Sequence, residues 1–435
     1  MRLDAMSAEP ADNRIRRGGT SSMKVLFIHI TGAFGGSSRS LTEAVRAFPG
    51  DIEAHFLTPR GTVEGFFGKL GKVLAVSGLS QFDNTQYSYY RGFRWLVLLR
   101  EIANLPATFS AIREAHRRWP DIDLIHVNEF TGLLPMWLAR RRYGVPVVVH
   151  VRSVARLDRK ALRSRFVNSV LRANADAVIA IDETVRQSLP EDLPVEVIHN
   201  AFTPKPAGDP DPALSARIER LRPGALRVGF VGNLLKVKGI QDLVEAARIV
   251  KQRGGDVEYV VVGDDARPST SLKARLLHAF GLNQNIKAQV QAKIAEYGLE
   301  NDFHMLGFMS DIAQAYRHFD VLCFPSHFNA PGRPVFEAAF SAVPSIVAVT
   351  DPTDDTIIDG VTGLTIPPHA PERLAEAILA CAADREKTKA MGQEAKALAE
   401  RNFSVERNAA ELFGVFQRCV AAAENSRPNA AGLRQ

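Results

Sequence analysis

Lys238, Glu337 and the glycine pair Gly35-Gly36 have residue types and settings suited to chemistry on a phosphate. Gly35-Gly36 follows an apolar run over 24–30 and precedes Leu41, Val45 and Phe48 at helical spacing. Glycines in such a strand-to-helix turn let backbone N–H groups approach an anion with no Cβ in the way. The stretch 320–344, DVLCFPSHFNAPGRPVFEAAFSAVP, repeats the arrangement. Its apolar run over 321–324 enters a loop with Gly332, Arg333 and Pro334, and the following helix carries Val335 and Glu337. Pro334 suits the first turn of that helix, where unpaired N–H groups and the helix dipole favour phosphate. A third strand end, RVGFVGNLLKVKG over 227–239, carries Lys238, a single ammonium able to neutralise charge on a departing phosphate. The spacing Gly32-x-x-Gly35-Gly36 is neither G-x-G-x-x-G nor a P-loop.

The elements needed to hold these residues follow from apolar periodicity. Strands are predicted over 24–30, 54–57, 73–76, 124–127, 147–151, 177–181 and 195–198, with a long amphipathic helix over 93–119 between two of them. Pro204, Pro206, Pro210 and Pro212 then break the pattern. A second alternation starts at Arg227, with strands over 257–263, 303–307, 321–324, 345–349 and 363–366 and helices over 241–253, 311–318, 372–384, 385–401 and 405–424. At 435 residues the chain exceeds what one core usually supports. The reading is α/β: two doubly wound, Rossmann-like domains facing each other across a cleft, with ligand sites at the carboxyl ends of parallel strands. The first domain is expected over 23–202 and a linker over 203–226. The second domain is expected over 227–403, a closing helix over 404–424, and disordered ends over 1–22 and 425–435.

Stretch 320–344 resembles the donor-sugar signature of retaining family 4 glycosyltransferases, PS-x-x-E-x-x-G-(R)-x-x-x-E-A. Ser326, Gly332, Arg333, Glu337 and Ala338 match, while Asn329 stands in place of the first carboxylate. The run VGNLLKVKG resembles the family's GR-L-x-x-x-KG, with Asn233 in place of the Arg; LIHVNE over 124–129 resembles its strand ending in H-x-N, and Gly35-Gly36 its GG loop. The resemblance implies the GT-B arrangement, with the closing helix crossing back to the first domain. It also implies a retaining transfer from a nucleoside-diphosphate sugar with no metal and no other cofactor. It gives the ribose to Glu337. The diphosphate falls to Gly35, Gly36, Asn233, Lys238 and the helix start at Gly332, Arg333, Pro334 and Val335, and the sugar to Asn128 and Asn329. A glycan or lipid-linked acceptor in envelope, capsule or exopolysaccharide assembly is the expected setting.

The composition is that of an ordinary globular protein, with 54 Lys+Arg against 48 Asp+Glu and a formal charge of +6. The excess does not select nucleic acid as a partner. It is locally dense over 152–172, where Arg152, Arg156, Arg159, Lys160, Arg163, Arg165 and Arg172 alternate with Leu157, Leu162, Phe166 and Val170. That pattern suits either a solvated helix or one resting on an anionic membrane surface. Three widely spaced cysteines make neither a disulfide framework nor a zinc site. No apolar stretch reaches the ~18 residues of a membrane span. Residues 1–22 lack the apolar centre of a signal peptide, Met23 is a candidate start, and a cytoplasmic location is expected, peripheral to the membrane if 152–172 docks there. Two other readings share the architecture: a nucleotide-sugar 2-epimerase, and a silent nucleotide-sugar-binding protein suggested by Asn233 and Asn329.

Overall fold

The computed structural model describes residues 22–88, 90, 95–204, 214, 216, 218, 220–265, 286–309 and 311–426. The expected leader except Ser22, much of the expected linker and the tail beyond Ser426 lie outside them. Seven parallel strands form the first sheet: β1 (Met23–Ile28), β2 (Ile52–Pro59), β3 (Lys72–Val76), β4 (Leu124–Val127), β5 (Val147–Val151), β6 (Ala177–Ala180) and β7 (Val195–Val197), in the order β3-β2-β1-β4-β5-β6-β7. Six form the second: β8 (Leu226–Val231), β9 (Val257–Val262), β10 (Phe303–Gly307), β11 (Val321–Phe324), β12 (Ser345–Ala348) and β13 (Gly363–Ile366), in the order β10-β9-β8-β11-β12-β13. Each is a doubly wound sheet with helices on both faces. The chain has the GT-B architecture of two such domains.

The central strands of both sheets are largely apolar because both faces are covered. On β1, Leu26 and Ile28 pack into a core with Ile125 and Val149, while Val25 and Phe27 pack on the other face with Phe56, Val148 and Phe416. Phe416 belongs to the last helix, Val405–Asn425. That helix is capped by Ser404 and lays Leu412, Val415 and Phe416 against the first sheet. The chain therefore crosses between the domains twice, and the bridge between Phe202 and Ser404 ties the two crossings together.

The single helix predicted over 93–119 is two helices, Val97–Ala103 and Leu105–Arg118. Pro106 stands in the first turn of the second, where its missing N–H would interrupt a continuous helix. The stretch 264–300 includes the helix Ile286–Glu296, with 266–285 outside the described residues.

In each sheet the chain order reverses beside the first strand, between β1 and β4 and between β8 and β11. Such switch points open a crevice at the carboxyl ends of the strands. The glycine turn after β1, Asn128 after β4, Lys238 after β8 and the Gly332 loop after β11 all sit at these two positions.

Candidate active site in the interdomain cleft

Gly35 caps the eleven-residue helix Gly36–Arg46, with its N–H donated to Ser38 Oγ at 2.8 Å. A Cβ added at Gly35 or Gly36 would meet nothing within 4 Å. The fold thus leaves open space at both positions. Gly332 differs, since a Cβ there would lie 2.4 Å from Phe324 Cζ. Gly239 is held harder still: its φ is +73°, and a Cβ would lie 1.9 Å from the Pro325 carbonyl oxygen. With His327 N–H donating to the Val237 carbonyl at 2.9 Å, this contact locks the loop carrying Lys238 onto the turn after β11.

Lys238 Nζ lies 5.5 Å and 5.1 Å from the ring centres of Phe324 and Phe328. Burial lowers the pKa of its ammonium. Cation–π contact with two rings holds the charge in place without cancelling it. Among the described residues no carboxylate pairs with Lys238.

Gly36, Gly332, Arg333 and Val335 line one cavity of about 190 Å³ between the domains, together with Arg152 and Asn200. Arg333 spans it. Nε donates to Glu337 Oε1 (2.5 Å), Nη1 to Ser40 Oγ (2.8 Å) and the Ala201 carbonyl (3.4 Å), and Nη2 to both oxygens of Glu43 (2.9 Å each). All five N–H groups of a guanidinium are committed in this arrangement. Arg333 was assigned to the diphosphate by resemblance; here it ties the second domain to Ser40 and Glu43 of the first.

Glu337 is buried, with Oε2 accepting from Tyr316 Oη at 2.9 Å while Oε1 faces Arg333. Val335 has its side chain in a core with Phe324 and Val347, and its N–H donates to Gly332. Pro334 occupies the first turn of the seven-residue helix Arg333–Ala339.

Asn128 is wholly buried behind the glycine turn. Its Oδ1 accepts from Arg152 Nε, and its Nδ2 donates to His29 Nδ1 (2.9 Å) and the Ser37 carbonyl (3.4 Å). Burial, and Arg152 beside it, push the His29 pKa down to about 3, so the ring is a neutral acceptor. Asn128 thus ties Arg152, His29 and the glycine turn together. His126 and His150 lie deeper, and burial holds both well below the usual histidine range. His126 packs on Phe27 and Phe416, inside the core instead of the cleft.

Asn329 and Asn233 sit along the carboxyl edge of the second sheet and do not line the cavity. Asn329 Oδ1 accepts from Thr350 N–H and Oγ1 at 2.8 Å each, while Asn233 is exposed. The only set of three potential metal ligands among the described residues, Asp242, His327 and His369, lies on that edge with ligand atoms within 4.8 Å of one another.

Sequence reasoning missed Ser40 and Glu43, although Gly36, Ser40 and Glu43 follow the i, i+4, i+7 spacing of one helix face. It also missed Tyr316 and Asn200, the latter lining the cavity and accepting from Arg152 Nη1 at 2.8 Å.

Comparison with known proteins bears on the family and the fold. The group 1 glycosyl transferase profile matches residues 215–398, and that of glycosyltransferase family 4 matches 34–205. The chain is 25% identical over 317 residues to a D-inositol 3-phosphate glycosyltransferase of Saccharomonospora viridis, covering 69% of this chain and 71% of the relative. It is 24% identical to an alpha-D-kanosaminyltransferase of Streptomyces kanamyceticus, covering 65% and 72%. Among solved structures it resembles Anabaena HepE in complex with UDP and glucose, with a TM-score of 0.69 and 22% identity over 91% of this chain and 100% of that one. With two matched profiles spanning both domains, curated relatives along most of its length and the GT-B fold, the chain belongs to the family 4, group 1 glycosyltransferases.

Proposed function

We propose that the protein is a retaining glycosyltransferase that moves a sugar from a nucleoside diphosphate onto a glycan or lipid-linked acceptor in envelope, capsule or exopolysaccharide assembly, on the cytoplasmic side of the membrane. The observation that carries the reading is the ammonium of Lys238, fixed at a switch point by the left-handed Gly239 and two aromatic rings and without a counter-charge among the described residues. A departing diphosphate supplies that counter-charge, and Lys238 stabilises it as the C1–O bond breaks. The open space over Gly35 and Gly36 leaves room for phosphate oxygens against the N–H groups of the helix start. Ribose binding by Glu337 requires it to exchange one of its present partners, Tyr316, Arg333 or the more distant Arg39. Asn329 keeps its Nδ2 for the sugar. Retention and the absence of a metal are inferred from the family resemblance.

The experiment is a panel of nucleoside-diphosphate sugars assayed for transfer or slow hydrolysis, with the anomeric configuration of the product read by NMR. UDP-sugars come first, because HepE structures contain UDP and UDP-glucose. The expected result is turnover with the donor's anomeric configuration kept and unaffected by EDTA. Turnover lost on chelation would instead implicate the Asp242, His327 and His369 cluster. Sugar isomerisation without an acceptor would point to an epimerase, and binding without turnover to a silent protein.

A membrane partner is part of the proposal. The helix Leu162–Asn174 buries Val167 and Leu171 and leaves Leu162 81% and Phe166 55% exposed. Phe166 packs on Phe82, which reaches Tyr90, and Tyr90 stacks on Trp95. These contacts join the patch to the exposed Leu96 and Leu99. The basic stripe is thinner than the sequence suggests, because Arg156, Arg159 and Arg172 pair with Asp158, Glu191 and Asp192, and Arg152 turns into the cleft. Apolar insertion therefore supplies most of the binding. No helix among the described residues is long and apolar enough to cross a membrane. Co-sedimentation with phosphatidylglycerol vesicles is expected, weakened at least ~10-fold by the double change Leu162→Asp and Phe166→Asp. Equal sedimentation of both proteins would remove this surface.

A further inference from the structure

Arg152 and Arg333 both line the cavity, and their surroundings differ. Arg333 has all five N–H groups on two carboxylates, a hydroxyl and a carbonyl. Arg152, just past β5, has Nε on Asn128 Oδ1, Nη1 on Asn200 Oδ1 at 2.8 Å, and Nη2 against His150 Nδ1 at 3.4 Å. Each of these acceptors is neutral, since His150 is kept unprotonated by burial. No carboxylate among the described residues forms an ion pair with the Arg152 guanidinium.

Nearby acids are turned elsewhere. Glu129 accepts from Ser153 Oγ at 2.7 Å, from Phe130 N–H at 2.9 Å and from the backbone N–H of Arg152 at 3.4 Å, and burial raises its pKa to about 7. Asp182, on the cavity wall, accepts from Val185 N–H at 2.7 Å, and burial raises its pKa to about 6. Burial also pulls the Arg152 pKa down, although a guanidinium keeps its proton at neutral pH. An ion held in the protein without a partner is costly. Two of the five N–H groups remain uncommitted, on a side chain that lines the cavity.

We propose that Arg152 binds an anionic group of the substrate, a phosphate or carboxylate, through these two N–H groups, with the helix start at Gly36 and Ser37 on the same cavity wall. This rests on the reading of the cleft as the substrate site. The anion has two sources of the same chemistry: the donor's pyrophosphate, or an acidic group on the acceptor. Arg152 would then discriminate for charged substrates, a task distinct from that of Lys238 in the second domain.

Arg152→Met and Arg152→Lys test this by calorimetry with inorganic pyrophosphate, UDP and uridine, and with inorganic phosphate titrated into UDP-saturated protein. The Met variant is expected to lose ~10- to 100-fold in affinity for at least one anion, the scale of hydrogen bonds to a charged group, with uridine unchanged. The Lys variant, which keeps the charge without the fork, should fall between. A loss in pyrophosphate and UDP identifies the donor as the source; a loss confined to phosphate added over UDP identifies the acceptor. Should the Met variant not fold by circular dichroism, the Lys variant alone decides, with ~3- to 10-fold weakening expected. Affinities within twofold of wild type for every anion, or no anion binding by the wild type, overturn the proposal. Arg152-dependent binding of pyrophosphate or phosphate without binding of any nucleotide supports it while counting against the nucleotide-sugar reading.

Discussion

Arg333→Ala is expected to destabilise the protein by about 3 to 5 kcal/mol, the scale for removing one partner of a buried charge network. Arg333 is 12% exposed, Glu43 16% and Glu337 4%, so the change leaves two carboxylates close together and shielded from water, with only Arg39, 3.9 Å from Glu337, to balance them. Burial already raises the Glu43 pKa, with Arg333 and, more weakly, Arg39 opposing it, so removing the Arg333 guanidinium removes the larger part of what keeps that carboxylate charged. Because Ser40 and Glu43 belong to the first domain and Glu337 to the second, the loss should also open the cleft. Urea unfolding followed by circular dichroism reads the first effect and the small-angle scattering radius the second. Glu43→Gln in the Arg333→Ala background should recover part of the stability by removing one orphaned charge. A loss below about 1 kcal/mol would mean that Arg333 behaves as a surface ion pair and does not hold the domains.

Lys238→Ala should behave in the opposite way. Turnover is expected to fall by roughly 10²- to 10³-fold, as when one preorganised donor to a developing oxyanion is deleted. Stability should hold or rise slightly, because the lysine is a partly desolvated ammonium with only ring faces for company. The drop should fall on kcat more than on KM, since charge builds on the diphosphate as the bond breaks. Full activity in the variant would remove Lys238 from leaving-group stabilisation.

These two residues show where sequence reading succeeds and where it stops. Apolar runs such as 24–30 and 321–324 are legible because strands buried on both faces cannot hide their composition, and both observed strands fall on them. The Lys238-Gly239 turn is legible for a similar reason: only glycine tolerates its φ and the nearby Pro325 carbonyl. Arg333 and Glu337 are equally visible as a spacing on one helix, but what they do depends on Glu43, 290 residues away. A charged residue in a motif reads as a ligand contact until its counter-charge is known. Asn128 is legible in the same partial way, since its strand-end position is visible while its engagement by Arg152, His29 and Ser37 is not. The break before Pro106 was visible in principle, but the apolar periodicity of the two helices runs through it.

The proposed function requires a nucleoside diphosphate to lie between the two switch points, its phosphates between the Gly35-Gly36 turn and the Lys238 ammonium. A crystal structure of the protein with UDP tests this most directly. The expected result is a pyrophosphate oxygen within hydrogen-bond distance of Lys238 Nζ and another facing the N–H of Gly36 or Ser37. UDP bound outside the cleft, or inside it with Lys238 still resting on Phe324 and Phe328 and no phosphate in reach, would contradict it.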